Sequence, residues 1–100
     1  MSATFTEESF VATGEASGKP RCHKALVRVS GTFSGTVALK WTDAGGTTHT
    51  VQESGSDLTF TAPGERVVDM GVPVILFWEC TAYTSGTIVA SITGARLSNY

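Results

Sequence analysis

The chain has 100 residues, which is room for one domain, residues 1–100, and no second. Seven Lys and Arg against nine Asp and Glu give a net charge of −2, and only 16% of residues are charged. This excludes the dense basic face that a non-specific nucleic-acid binder needs. The 41% hydrophobic fraction can form a packed core, and 15 Thr, 10 Val and 11 Gly favour strands closed by tight turns over helices.

The N-terminus, Met-Ser-Ala-Thr-Phe-Thr-Glu-Glu, has no basic stretch followed by an apolar one, so no secretory leader is expected. The longest strongly apolar run, Val72 to Trp78, is about a third of the length a spanning helix requires. The expectation is a protein made in the cytoplasm, without a membrane partner, in which Cys22 and Cys80 stay reduced.

Residues 1–20 read as an N-terminal arm: a weak edge strand over Thr4–Ala12, then a loop over Thr13–Pro20. His23–Phe33 alternates strongly, with Ala25, Val27, Val29 and Phe33 on one face and Lys24, Arg28, Ser30 and Thr32 on the other. Ser34-Gly35 predicts a turn. Thr36–Asp43 then alternates again, with Val37, Leu39 and Trp41 inward. Asp43-Ala44-Gly45-Gly46 is the clearest hairpin signal and returns the chain over Thr47–Glu53. After Ser54-Gly55-Ser56 comes Asp57–Ala62 with Leu58 and Phe60 inward, and Pro63-Gly64 turns into a short strand over Glu65–Met70.

Val72–Thr84 is the most apolar strand. Val74, Leu76, Trp78, Cys80 and Ala82 share one face, and Ile75, Phe77 and Tyr83 share the other. Ser85-Gly86 leads into a last strand, Thr87–Leu97, with Ile88, Ala90 and Ile92 inward. Seven or eight short strands at regular spacing predict an all-β fold: an antiparallel β-sandwich, with jelly-roll and immunoglobulin-like topologies both open. The order Cys22, Trp41, Cys80 imitates the immunoglobulin pattern, but Cys22 precedes the body of its strand, and two buried thiols explain the pair better.

Chemistry finds little support. His23 and His49 are the two histidines and neither stands in a zinc-spaced cluster, so no metal is expected. No calcium-loop pattern, G-x-S-x-G elbow or phosphate-binding glycine loop before a helix occurs, so no catalytic residue and no cofactor is assigned. Exposed aromatics on a sandwich would suit a glycan. Trp41 and Trp78 fall in phase with the core, whereas Phe77 and Tyr83 do not, and Tyr100 ends the chain.

Four stretches carry a family resemblance: Val29-Ser30-Gly31-Thr32-Phe33-Ser34-Gly35-Thr36-Val37-Ala38-Leu39, Trp41-Thr42-Asp43-Ala44-Gly45-Gly46-Thr47-Thr48, Phe60-Thr61-Ala62-Pro63-Gly64, and Glu79-Cys80-Thr81-Ala82-Tyr83-Thr84-Ser85-Gly86-Thr87-Ile88. Over residues 25–95 the chain resembles small β-sandwich proteins encoded among the virion genes of tailed bacteriophages. In these, a G-T-F-x-G-T-V-x-L strand leads into a D-G-G-x-T hairpin, and a later C-T-A-Y-T-S-G-T strand pair closes the domain. The hairpin here differs by the inserted Ala44. The resemblance implies a non-enzymatic structural protein of the virion, made in the host cytoplasm. Capsid cement or decoration comes first, and a glycan- or receptor-binding module of a tail or fibre is the alternative. It further implies capsid or other virion proteins as partners and a homo-oligomer, with a trimer favoured. A strand apolar on both faces nominates Ile75, Phe77 and Tyr83 as interaction residues, covered by the N-terminal segment, a loop or a second chain.

Overall fold

The structure is a computed structural model in which residues 2–96 are described. It is all-β, with nine strands: β1 (Ser2–Phe10), β2 (Arg21–Ser30), β3 (Phe33–Thr42), β4 (Thr48–Thr50), β5 (Gln52–Glu53), β6 (Ser56–Asp57), β7 (Thr59–Phe60), β8 (Gly64–Gly86) and β9 (Ile88–Arg96). All pairings are antiparallel, and the main sheet runs β1-β9-β2-β8-β3-β4, with β7 also on β3. β5 and β6 form a separate two-stranded ribbon.

The long strand β8 makes the sandwich. Its first half pairs with β2 from Val29↔Gly64 to Lys24↔Asp69, and its second half pairs with β3 from Thr42↔Ile75 to Phe33↔Gly86. One strand therefore passes from one layer to the other and lets a continuous ladder fold over a single core. The crossing lies at residues 70–73. There the β2 register jumps from Lys24↔Asp69 to Cys22↔Val74, so four β8 residues bulge opposite His23 alone. Pro73, which has no N–H to donate, sits where the ladder is already broken. The sequence reading of two strands, Glu65–Met70 and Val72–Thr84, thus becomes one bent strand, because the bulge interrupts pairing without ending the extended backbone.

The inward faces follow the predicted alternation. Val27, Val29, Val37, Leu39, Leu58, Leu76, Trp78, Ile88 and Ile92 are buried in one cluster with Phe10, Cys22 and Cys80. Trp41 and Phe60 pack against its edge while half-buried. Trp78 is 0% exposed, donates its indole N–H to the Ser91 carbonyl at 2.9 Å and meets Phe60 edge-on at 5.6 Å. It occupies the centre of the core, while Trp41 stands at the rim.

The turn predicted at Ser34-Gly35 lies instead at Gly31-Thr32, and Ser34 and Gly35 belong to β3. Two hairpin ends abut here. Thr87 donates its N–H to the Thr32 carbonyl at 3.1 Å. Gly86 has φ +86, and a side chain on it would come within 2.2 Å of that same carbonyl. Gly31 has φ +101, and a Cβ on it would lie 2.4 Å from the Thr87 carbonyl. Only glycine gives both the left-handed backbone and the clearance at this crossing.

Candidate interaction surfaces

The loop after β1 settles the surroundings of the nominated residues. It runs beside the free edge of the second half of β8. Gly14 and Ser17 donate backbone N–H groups to the Cys80 and Trp78 carbonyls, while Leu76 and Cys80 donate to Pro20 and Glu15. Ser17 is buried, and its Oγ accepts the Trp78 N–H at 2.9 Å. This continuation brings Lys19 over Phe77, with Nζ 4.8 Å from the ring centroid, a cation–π contact. Lys40, the cross-strand neighbour of Phe77, is held by Thr50 at 2.9 Å and Glu79 at 3.7 Å. Phe77 is consequently 6% exposed within one chain. Ile75 sits half-buried beside the crossing, paired with Arg21 and Thr42. Tyr83 packs against the core and donates its hydroxyl to the Gly86 carbonyl at 2.7 Å. The three are therefore not one patch: Phe77 is sheltered by the chain's own loop, and Tyr83 braces the β8–β9 turn.

A different apolar surface appears on the outer face of the layer formed by β1, β9, β2 and the first half of β8. The register aligns Phe5, Thr93, Leu26 and Val67 in one row across four strands. Phe5 is 64%, Leu26 39% and Val67 59% exposed. The next row is Glu7, Ser91, Arg28 and Glu65, with Arg28 and Glu65 paired at 3.9 Å in solvent. Sequence reasoning missed the apolar row because its members lie in three distant segments. The local signals were Leu26, an apolar residue on the polar side of β2, and the adjacent Val67 and Val68, which must point to opposite faces of their strand.

The second feature is an open hollow of about 640 Å³ at the mouth of the sandwich, lined by Trp41, His49, Gln52, Asp57, Asp69 and Met70 among others. The β3–β4 hairpin shapes one wall. Asp43 Oδ1 accepts the N–H groups of Gly45 and Thr47, and Oδ2 bonds His49 Nε2 at 2.9 Å. These bonds, that to His49 first, hold the Asp43 carboxyl below its ordinary pKa. His49 in turn stacks on Trp41 at 4.6 Å between centroids and 28° between planes. Asp43 thus ties His49 to the backbone of the turn, and among the described residues no Ser, Thr or Cys hydrogen-bonds to the His49 ring. On the other wall, Gln52 donates to Asp57 Oδ1 at 3.1 Å, and Asp69 Oδ1 caps the Gly71 N–H at 2.9 Å.

Neither histidine meets a partner of metal-ligating type in sufficient number. Among the described residues no three His, Cys, Asp or Glu side chains gather to hold a metal ion. The Nδ1 of His23 is buried without a hydrogen bond. Cys22 and Cys80 are buried free thiols whose pKa values burial pushes up, which makes poor nucleophiles of them. Tyr100 lies outside the described residues. Against known proteins, the chain matches no family model, no curated protein and no solved structure.

Proposed function

We propose that the protein is a non-enzymatic structural component of a bacteriophage particle, a cement or decoration protein that adds to the capsid as an oligomer, with a trimer favoured. The observation that carries the reading is the exposed row Phe5–Leu26–Val67 across a regular four-stranded face. An apolar band on an ordered sheet is suited to burial against a protein lattice. A second support is that parts of two of the four stretches resembling phage virion proteins, Gly31 to Gly35 and Tyr83 to Thr87, form one interlocked crossing. Closed cyclic assembly would also cover the outer edge of β1, which among the described residues pairs on one side alone, with β9.

The test adds purified protein to phage shells prepared without it, with light scattering to give the oligomeric state. The expected result is saturable binding and raised heat resistance of the shells, both lost in Leu26→Glu. That exposed substitution leaves the core intact. A strict monomer that neither binds shells nor protects them would refute the reading.

A further inference from the structure

We infer that the hollow at the mouth of the sandwich is a binding site for a neutral saccharide. The inference does not depend on the shell-binding reading, since the hollow and the Phe5–Leu26–Val67 row share no residue. The argument begins with an aromatic plate held in place. Trp41 is half-buried at the rim of the core, backed by the His49 ring, which Asp43 fixes through a 2.9 Å hydrogen bond. A pre-set aromatic surface with an apolar neighbour, Met70, suits the C–H face of a pyranose ring.

Polar groups converge on the same space. Gln52 and Asp57 hold one another through Nε2 and Oδ1 at 3.1 Å, and Asp69 keeps its place through the Gly71 N–H. Among the described residues, Asp57 Oδ2, Asp69 Oδ2 and the Gln52 side-chain Oε1 have no hydrogen-bond partner within the chain. These are acceptors for vicinal hydroxyls, and the remaining Gln52 N–H is a donor. Carboxylate acceptors make the stronger class of hydrogen bond to hydroxyls.

Charge narrows the ligand. Among the described residues no Lys or Arg lines the hollow, and two carboxylates do, so phosphate, sulfated sugars and sialic acids are disfavoured. The volume falls in the usual range for small-ligand sites of ~300–1,000 Å³. A quaternary ammonium could also use an aromatic ring and carboxylates. It would leave the Gln52 amide without a role, however, and Trp41 stands with a single stacked ring in place of an aromatic cage.

The experiment is an amide and indole NMR titration of the folded protein with maltotriose, cellotriose, chitotriose and lactose, each to about 10 mM, because weak single-site sugar binding falls near the millimolar scale. Sialyllactose and tetramethylammonium serve as charged probes. At least one neutral sugar should shift the Trp41 indole and Gln52 side-chain signals while the buried Trp78 indole stays still. Asp57→Ala, an exposed substitution, should weaken that binding by about tenfold, as loss of a charged hydrogen bond does. Leu26→Glu, remote from the hollow, should leave it unchanged. Three results would each overturn the inference: no neutral sugar moves Trp41, a charged probe binds as well as or better than the sugars, or Asp57→Ala keeps full affinity.

Discussion

Ser17→Ala tests whether the N-terminal loop is a built part of the second layer. Ser17 is 5% exposed, its N–H donates to the Trp78 carbonyl at 2.9 Å, and its Oγ accepts the Trp78 N–H at 2.9 Å from 61 residues away in sequence. The hydroxyl thus takes the place of a backbone carbonyl where the loop departs from regular strand geometry. Alanine keeps the first bond and removes the second, which leaves the N–H of a core residue without an acceptor. An unpaired buried donor costs ~1–3 kcal/mol, a large share of the 5–15 kcal/mol that typical domains have. For a chain of this size each kcal/mol is worth ~4–8 °C, so the expected fall in Tm is about 5–20 °C. Thermal unfolding by circular dichroism reads the loss, and hydrogen exchange at the Trp78 amide locates it. Lys19 follows two residues later, so the loosened loop should also uncover Phe77. Ser56→Ala, on the exposed ribbon, is the control and should stay within about 0.5 kcal/mol of the parent. If Ser17→Ala does the same and the Trp78 amide remains protected, the loop is not pinned by this bond and the reasoning fails.

Gly86→Ala should be more damaging than the ~1–2 kcal/mol of a left-handed alanine, since its Cβ would also strike the Thr32 carbonyl 2.2 Å away; chemical denaturation measures it, and near-native stability would show that the crossing can yield. Asp43 has a folded pKa below its ordinary value, so its contribution to the hairpin is present above the ordinary carboxylate range and is lost as pH falls through the lowered value. Protection of the Gly45 and Thr47 amides, relative to their intrinsic exchange at each pH, should fall across that acidic window, and Asp43→Asn should abolish that change in protection. Cys22 and Cys80 should resist alkylation in the native protein and both label at once on unfolding; mass spectrometry without reductant counts the labels, and rapid native labelling would contradict their burial.

The period-two alternation of Ala25-Val27-Val29, Val37-Leu39 and Val74-Leu76-Trp78-Cys80 was enough to predict an antiparallel β-sandwich, because a side chain in an extended strand has two faces to choose from and apolar groups take the dry one. The Asp43–Gly46 hairpin was legible for a similar reason: Asp accepts from the backbone just ahead of it, and Gly46, at φ +87, meets no steric penalty. Features that depend on partners distant in sequence were not legible. Gly71 read as a break between strands, yet β8 continues through it because each half has a different partner, β2 and then β3. Phe10 lies at the end of a weakly patterned segment but is fully buried, since β1 pairs with β9 and sets Phe10 opposite Ile88. Phe77 is out of phase with the core, so pattern alone left open whether the N-terminal segment, a loop or a second chain covers it; a lysine from the loop before β2 does. Trp41 is in phase with the core but lies at the rim, where the sandwich opens toward Asp57 and Asp69. Local pattern determines which face of a strand is apolar; which strands meet, and so which apolar groups stay outside, is decided by long-range register and by where the ladder bends.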